Sequence, residues 1–211
     1  MDAHLYLCCM GHQTIGIEEM DALTIIRRIA PLKAEDQQAL LILFEEVTFK
    51  KHDNIIETGK NSRYLYFLKT GSCRIFYYKE HREVILDFAF PGDALISLNS
   101  YVHGKPGYET IQSLEPVTAY RIHVAQLQSL FANTLGIANW GRKLAEVETL
   151  KIEYRLMSKL FKTASESYQD LLNRAPELVK QIKLGFIASY LGISQVTLSR
   201  IRGKQGESSE K

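Results

Sequence analysis

The chain has 211 residues, of which 45% are hydrophobic and 24% charged, the composition of an ordinary soluble protein with one large or two small domains. Its formal net charge of +2 is too small to mark the whole chain as a nucleic-acid binder, so such a role requires a local basic patch. The three cysteines, Cys8, Cys9 and Cys73, give neither a zinc spacing nor a disulfide framework, which favours a reducing, cytoplasmic location.

The first 19 residues are predicted to be an extension of the folded core. Their apolar run, residues 4–10, is short, has no basic residue before it and no small-residue cleavage site after it. It therefore predicts neither a signal peptide nor a membrane span. Helical periodicity begins at Met20, so deletion of residues 1–19 is expected to leave the fold and its melting temperature nearly unchanged.

Two short helices and then a series of strands are predicted next. Apolar residues at helical spacing cover residues 18–30, where Pro31 ends the helix, and again residues 35–46. From Val47 to about Ile122, aromatic and β-branched residues dominate, and turn-forming clusters such as Thr70-Gly71-Ser72 interrupt them about every ten residues. Short strands at that regular interval predict a β-sandwich or roll.

A helix of nearly thirty residues is predicted from Leu135 onward. Its apolar stripe is longer than one small domain needs, so the helix either lies against the sheet domain or forms a two-stranded coiled coil across a dimer axis. Both can hold on different parts of one helix, and we favour a homodimer. The predicted dimer-interface residues are Ile137, Trp140, Leu144, Val147, Leu150, Tyr154 and Met157.

Residues 182–204 predict a helix, a tight turn and a second helix. Gly192 can end the first helix in the left-handed conformation, and Ser194 can cap the second, in which Val196, Leu198 and Ile201 are expected to pack inward. Residues 179–205 contain five lysines and arginines and no carboxylate, which suits a polyanion. An ordinary helical hairpin with a solvated basic face is the alternative. The candidate DNA-binding residues are Ser194, Gln195, Thr197, Ser199, Arg200, Arg202 and Lys204.

The phrase Ala-Ser-Tyr-Leu-Gly-Ile-Ser-Gln-Val-Thr-Leu-Ser-Arg, residues 188–200, resembles the helix-turn-helix of the cyclic-AMP receptor protein and fumarate-nitrate regulator family of bacterial transcription regulators. Upstream phrases at residues 51–59, 65–71 and 90–93 match that family in the same order, so the resemblance covers nearly the whole chain from Met20. It implies an α+β fold with an N-terminal double-stranded β-helix (jelly-roll) domain like those that bind cyclic nucleotides, a long dimerisation helix and a C-terminal helix-turn-helix domain. The implied boundaries are 1–19 for the extension, 20–134 for the sensor domain, 135–163 for the dimerisation helix and 164–211 for the DNA-binding domain.

The resemblance also implies a sensor pocket, in which two family motifs are replaced. Members that bind a cyclic nucleotide carry a Gly-Glu pair for the ribose and an Arg-Ser or Arg-Thr pair for the phosphate, where this chain has Ile96-Ser97 and Gly107-Tyr108. A buried phosphate without a guanidinium would be largely unpaired, so cyclic AMP is expected to bind poorly or not at all. Either another, unknown effector binds there or side chains fill the roll. The candidate pocket residues are Gly92, Asp93, Ser97, Leu98, Asn99, Tyr108, Thr110 and the capping Trp140.

The partners that the resemblance implies are double-stranded DNA, a second copy of the chain and RNA polymerase, and no membrane. The family's β-hairpin wing is absent or vestigial, since a polar segment follows from Gly203; this is expected to remove phosphate contacts but not base reading. Gln195 and Val196 replace an arginine and a glutamate that often read bases in the family, and Arg200 matches a later base-contacting arginine. The operator is therefore expected to differ from the family's best-known one.

Two other functions are compatible with parts of the sequence. A ligand-binding or protein-interaction sensor module that does not bind DNA is the main alternative. A cupin-type metal enzyme also has a β-roll, but it needs clustered histidines, and His52, His81, His103 and His123 are scattered singly. The adjacent cysteine pair lacks the further spaced cysteines of the family's iron–sulfur members. We therefore predict that the chain is not an enzyme and has no catalytic residues, metal site or iron–sulfur cluster.

Overall fold

The computed structural model describes residues 19–80, 82–174 and 176–208, so nearly all of the predicted N-terminal extension lies outside the described residues. The chain divides into two compact units. We call Glu19–Phe161 the roll unit, and the part that begins at Lys162 the helical unit. No helix in the described part of the chain is long and apolar enough to cross a membrane.

The roll unit consists of two antiparallel four-stranded sheets with helices around them. The strands are β1 (Glu45–Phe49), β2 (Asn54–Ile56), β3 (Tyr64–Thr70), β4 (Cys73–Lys79), β5 (Arg82–Ala89), β6 (Ala94–Leu95), β7 (Thr110–Ser113) and β8 (Val117–His123). The helices are α1 (Ala22–Ile29), α2 (Ala34–Leu41), α3 (Leu98–His103), α4 (Val124–Asn133) and α5 (Leu135–Phe161). The strand orders are β1-β8-β3-β6 and β2-β7-β4-β5. The predicted roll and the predicted long helix, α5, are both confirmed.

The helix predicted over residues 35–46 is shorter than the sequence indicates. It ends at Leu41, because Glu45–Phe49 pair with β8 as the edge strand β1. The helices α3 and α4 were not predicted. The helix α3 lies inside the region that was predicted to contain strands, and α4 begins directly after that region.

Two hydrophobic cores lie on opposite faces of β3. Side chains alternate across a strand, so Tyr66 and Leu68 face the inner core between the two sheets, while Leu65 and Phe67 face an outer core. The helices α1, α2, α4 and α5 cover that outer core. Burial on both faces explains why β3 has an almost unbroken apolar sequence.

The turn between β3 and β4 depends on a glycine. Gly71 has a φ of +81°, and a Cβ placed on it would lie 2.7 Å from the carbonyl oxygen of Pro116. Both the left-handed backbone and this close approach exclude a side chain. The turn that the sequence predicts here therefore requires a glycine for steric reasons.

The helical unit contains α6 (Ala164–Arg174), α7 (Pro176–Gln181), α8 (Leu184–Leu191) and α9 (Gln195–Ser208). A reciprocal capping box starts α6: the Thr163 backbone N–H donates to Glu166 Oε2 at 2.7 Å, and the Glu166 N–H donates to Thr163 Oγ1 at 3.3 Å. These bonds with Thr163 hold the pKa of Glu166 below its usual range. The core of the unit consists of Tyr168, Leu171, Val179, Ile182, Ile187, Ala188 and Leu198.

Candidate nucleic-acid interface and sensor site

The turn between α8 and α9 has the geometry that the sequence predicts. Gly192 takes the left-handed conformation, φ 68° and ψ 28°, and the backbone N–H of Ile193 donates to the Ala188 carbonyl at 3.0 Å. Ser194 caps α9, because its Oγ accepts a hydrogen bond from the Thr197 N–H at 3.1 Å. These contacts fix the orientation of α9 relative to α8.

One side of α9 packs inward and the other faces solvent. Leu198 is fully buried, whereas Val196, which was predicted to pack inward, is 63% exposed. The reason is helical geometry: two residues correspond to about 200° around the helix, so Leu198 and Val196 lie on nearly opposite sides. The outward candidates Gln195, Thr197, Ser199, Arg200 and Arg202 are exposed, and the side chain of Lys204 lies outside the described residues.

Three of the candidate DNA-binding side chains lie against other groups of the unit. The Thr197 hydroxyl lies 2.9 Å from the Ser194 hydroxyl, so both take part in capping α9. Gln195 lies over α8, where a Cβ on Gly185 would come within 2.9 Å of its Nε2. The arginines of α9 therefore provide the strongest donors for a nucleic acid.

The sensor candidates around α3 are held by the neighbouring turn at residues 57–62. The Asn61 side chain donates to the Gly104 carbonyl at 2.9 Å, and the Gly59 N–H donates to the Gly107 carbonyl at 3.0 Å. Among the predicted residues, Asn99 donates to the Pro106 carbonyl at 2.6 Å, and buried Thr110 accepts a hydrogen bond from the Thr58 N–H. Leu98 and Tyr108 are exposed at the surface. The segment from Ser97 to Thr110 is thus tied at several points to the roll.

The structure adds Glu109, which the sequence did not indicate, to this segment. Glu109 is 8% exposed and Ser97 is 1% exposed. Glu109 Oε2 accepts a hydrogen bond from the Tyr108 N–H at 3.1 Å, while Glu109 Oε1 and Ser97 Oγ have no hydrogen-bond partner among the described residues. Gly107 occupies the position where the resembled family has its phosphate-binding arginine. A buried carboxylate therefore lies two residues after that position.

Of the sensor candidates Gly92 and Asp93, Asp93 contacts α5, whereas Gly92 lies against the Arg28 side chain of α1. Lys151 Nζ is 3.0 Å from Asp93 Oδ1 and 2.8 Å from Glu148 Oε1. Burial by itself would lower the pKa of Lys151, but the carboxylates of Asp93 and Glu148 outweigh it, so the net pKa is raised. One turn further along α5, Arg155 forms an ion pair with buried Asp87 of β5. The roll is therefore joined to α5 through charged groups.

Residues 46–134 match the family model of the cyclic nucleotide-binding domain. A comparison with curated proteins finds no match. Several solved structures are similar in fold at 14–18% identity. FixK2 from Bradyrhizobium japonicum is 18% identical, with 79% of this chain and 86% of that chain covered at a TM-score of 0.67. The c-di-GMP-responsive global regulator CLP of Xanthomonas campestris is 14% identical, with 84% and 93% covered at 0.63. A CooA mutant from Carboxydothermus hydrogenoformans is 18% identical, with 80% and 78% covered at 0.59.

These comparisons confirm the predicted fold class. The chain is α+β and has a β-roll domain that matches the cyclic nucleotide-binding domain model, a long helix α5 and a C-terminal helical region that is similar in fold to these structures. The predicted resemblance to the family of the cyclic-AMP receptor protein agrees with these structural neighbours.

Trp140 does not cap the interior of the cyclic nucleotide-binding domain, as the sequence suggested. Its indole is fully buried in the outer core, next to Phe67 and on the far side of the first sheet from the inner core. The indole N–H donates to the Ile26 carbonyl at 2.9 Å. Ile137 is buried in the same core, and Leu144 packs against it. Ile137 and Trp140 are thus unavailable to a second copy, because their own unit covers them.

The second half of the predicted dimer stripe is accessible. Val147 is half-buried, and Leu150, Tyr154 and Met157 are exposed, as is Phe161 at the end of α5. Among the described residues, no group of three or more His, Cys, Asp or Glu side chains is placed to hold a metal ion.

Proposed function

We propose that the chain is a cytoplasmic, homodimeric, DNA-binding transcription regulator whose cyclic nucleotide-binding domain senses a ligand other than cyclic AMP. The observation that carries this proposal is the capped α8–turn–α9 unit, whose outer side presents Arg200 and Arg202. Residues 179–205 contain no carboxylate to oppose a phosphate. The fold similarity to CLP, described as a global regulator, supports the same class of function.

DNA recognition would use the exposed side of α9 in the major groove. Arginine is suited to bidentate hydrogen bonds with guanine. The glutamine carboxamide and the threonine hydroxyl are further donors and acceptors for base edges. In a twofold dimer, two such helices enter successive major grooves about one helical turn apart. The operator would therefore consist of two inverted half-sites.

Selection of genomic fragments on the purified chain tests DNA binding. In a homodimer, Arg200→Ala removes one base contact from each half-site, at about 1–3 kcal/mol each, so it should weaken binding to the selected operator by at least about 30-fold and relax the base preference at one position of each half-site. Lys180→Ala is the matched control, since Lys180 is an exposed cation of the same unit on α7 and pairs with Glu177. Equal binding by the Arg200→Ala protein and the native chain would contradict the proposed interface.

The exposed end of α5 supports the dimer. Leu150, Tyr154, Met157 and Phe161 follow one another at steps of four, three and four, which is the heptad spacing of a two-stranded coiled coil. These side chains are 36–74% exposed in the single chain. An apolar stripe of this length at heptad spacing fits a second copy of the same helix.

A charge on this stripe should break the dimer. Burying one methionine contributes about 1.5–3 kcal/mol, and the symmetric interface contains it twice, so Met157→Glu should raise the dimer dissociation constant by at least about 100-fold. Ile152→Glu is the matched control, because Ile152 is 45% exposed and Met157 47%, but the two lie on different sides of α5. Sedimentation equilibrium would measure both; a dimer equally sensitive to both changes would place the interface elsewhere.

Cyclic AMP is expected to bind poorly. Gly107 stands where the resembled family has its arginine, and the buried carboxylate of Glu109 would repel a phosphate. Titration calorimetry should detect no micromolar complex with the native chain. A micromolar complex would contradict this expectation.

A sensor module that does not bind DNA is the second candidate. It is favoured by the exposed apolar Val196 on the outer side of α9. The selection experiment distinguishes the two functions, since this module would enrich no genomic fragment although the α5 dimer forms.

A further inference from the structure

We propose that Ser97 and Glu109 form a binding site for a primary ammonium group, in the segment between β6 and β7. Two oxygens of this segment are buried and have no hydrogen-bond partner within the described part of the chain: Ser97 Oγ and Glu109 Oε1. The hydrogen bond from the Tyr108 N–H to Glu109 Oε2, at 3.1 Å, fixes the orientation of the carboxylate.

The two oxygens point toward the same place. A Cβ on Gly107 would lie 2.7 Å from Glu109 Oε1 and would also collide with Ser97 Oγ. Both oxygens thus lie close to one point next to the Gly107 backbone. N–H···O bonds are about 2.7–3.2 Å long, so we expect a single nitrogen donor, placed beyond that point and in van der Waals contact with the Gly107 Cα, to bond to both oxygens. The absence of a side chain at Gly107 is what allows the two oxygens to converge.

The chemistry of the pair selects a cation that donates hydrogen bonds. A buried carboxylate with one oxygen left without a hydrogen bond is costly, and a bound cation reduces that cost, whereas a phosphate or carboxylate ligand increases it. A primary ammonium group carries three N–H donors, enough for the carboxylate and the hydroxyl together. A divalent metal ion would need more oxygen ligands than these two side chains supply.

The hydrogen bonds from the turn at residues 57–62 hold the segment that carries the pair in place, which reduces the entropy lost on binding.

The role of this site as the effector site rests on the proposed function, but its binding can be measured without DNA. Amide chemical shifts of the full chain would be followed by NMR during titration with ammonium chloride and with methylammonium chloride. Potassium chloride and tetramethylammonium chloride at equal ionic strength are the controls, since neither cation donates an N–H hydrogen bond. Saturable shifts at Gly107 and Glu109 are expected only with the first two salts. Binding of ammonium alone identifies the free ion, and binding of methylammonium as well identifies an amine substituent.

Three variants test the assignment to these side chains. Glu109→Gln keeps the shape and removes the charge, and it should weaken the affinity at least about tenfold. Ser97→Ala should weaken it to a smaller extent. Glu57→Gln is the matched control in the neighbouring turn, where Glu57 pairs with Lys60, and it should leave the affinity unchanged.

Three results would overturn the proposal: no saturable shift with either donor cation, equal shifts with potassium or tetramethylammonium, or unaltered affinity in Glu109→Gln. Ammonium binding by a chain that selects no DNA fragment would refute the regulator but not this site. Selected DNA without ammonium binding would do the reverse.

Discussion

The buried indole of Trp140 provides a quantitative test of how α5 is attached to the roll unit. In Trp140→Phe, the hydrogen bond to the Ile26 carbonyl is lost. That carbonyl also accepts from the Ala30 N–H at 3.3 Å, so it keeps one partner and the loss should be close to the average of about 1 kcal/mol. The smaller ring also leaves a void in a core where the indole is fully buried, which costs about 1–2 kcal/mol more.

The expected total is a loss of about 2–3 kcal/mol in the free energy of unfolding, or a melting temperature lower by roughly 5–10 °C. Circular dichroism melts would measure it, with exposed Ile152→Ala on the same helix as a control that should change the stability by less than about 0.5 kcal/mol. Since the chain has one tryptophan, blue-shifted fluorescence of the native protein independently reports its burial. An unchanged melting temperature together with a weakened dimer would show that Trp140 lies in the dimer interface and not in the outer core.

Two further predictions concern the joint between α5 and the roll and the turn after β3. Arg155→Ala removes a cation from buried Asp87 and should cost about 1–3 kcal/mol, less than a fully buried pair because Arg155 is partly exposed. A double-mutant cycle with Asp87→Asn in urea unfolding checks this, and a coupling energy of zero would show that the pair does not stabilise the joint. Gly71→Ala should cost at least about 2 kcal/mol more than Gly59→Ala in the same assay. Both glycines have positive φ, 81° and 76°, but only Gly71 has backbone within reach of a new Cβ, so equal costs would contradict the steric reasoning.

The roll and the helix-turn-helix could be predicted because their signals are local. The turn at Gly71 is marked by the residue type that its backbone requires. The α8–α9 turn is specified in the same way by Gly192 and Ser194, each of which makes the predicted local contact. By contrast, the end of α2 at Leu41 depends on pairing with β8, some seventy residues away, and the sequence near Leu41 gives no sign of it.

The long helix shows why the assignment of its contacts was partly wrong. An apolar stripe indicates which side of a helix is buried but not what buries it. On α5 the same spacing of three and four continues from Ile137 to Phe161, although the first half packs on the outer core and the second half is exposed. The change between them falls near Val147, where no residue type marks it. Only the three-dimensional position of α1 and the first sheet separates the two parts.

Glu109 illustrates the same limit at the candidate sensor site. In the sequence it is one glutamate among many charged residues, and a glutamate near a predicted turn is most often exposed. Its significance comes from burial together with Ser97 next to a residue without a side chain, a combination that involves three positions spread over thirteen residues. Loss of the phosphate-binding arginine could be seen from the sequence and explains why cyclic AMP is not expected to bind. The sequence did not indicate that the Glu109 carboxylate lies with Ser97 next to Gly107, and this carboxylate changes the expected ligand from an anion to a cation.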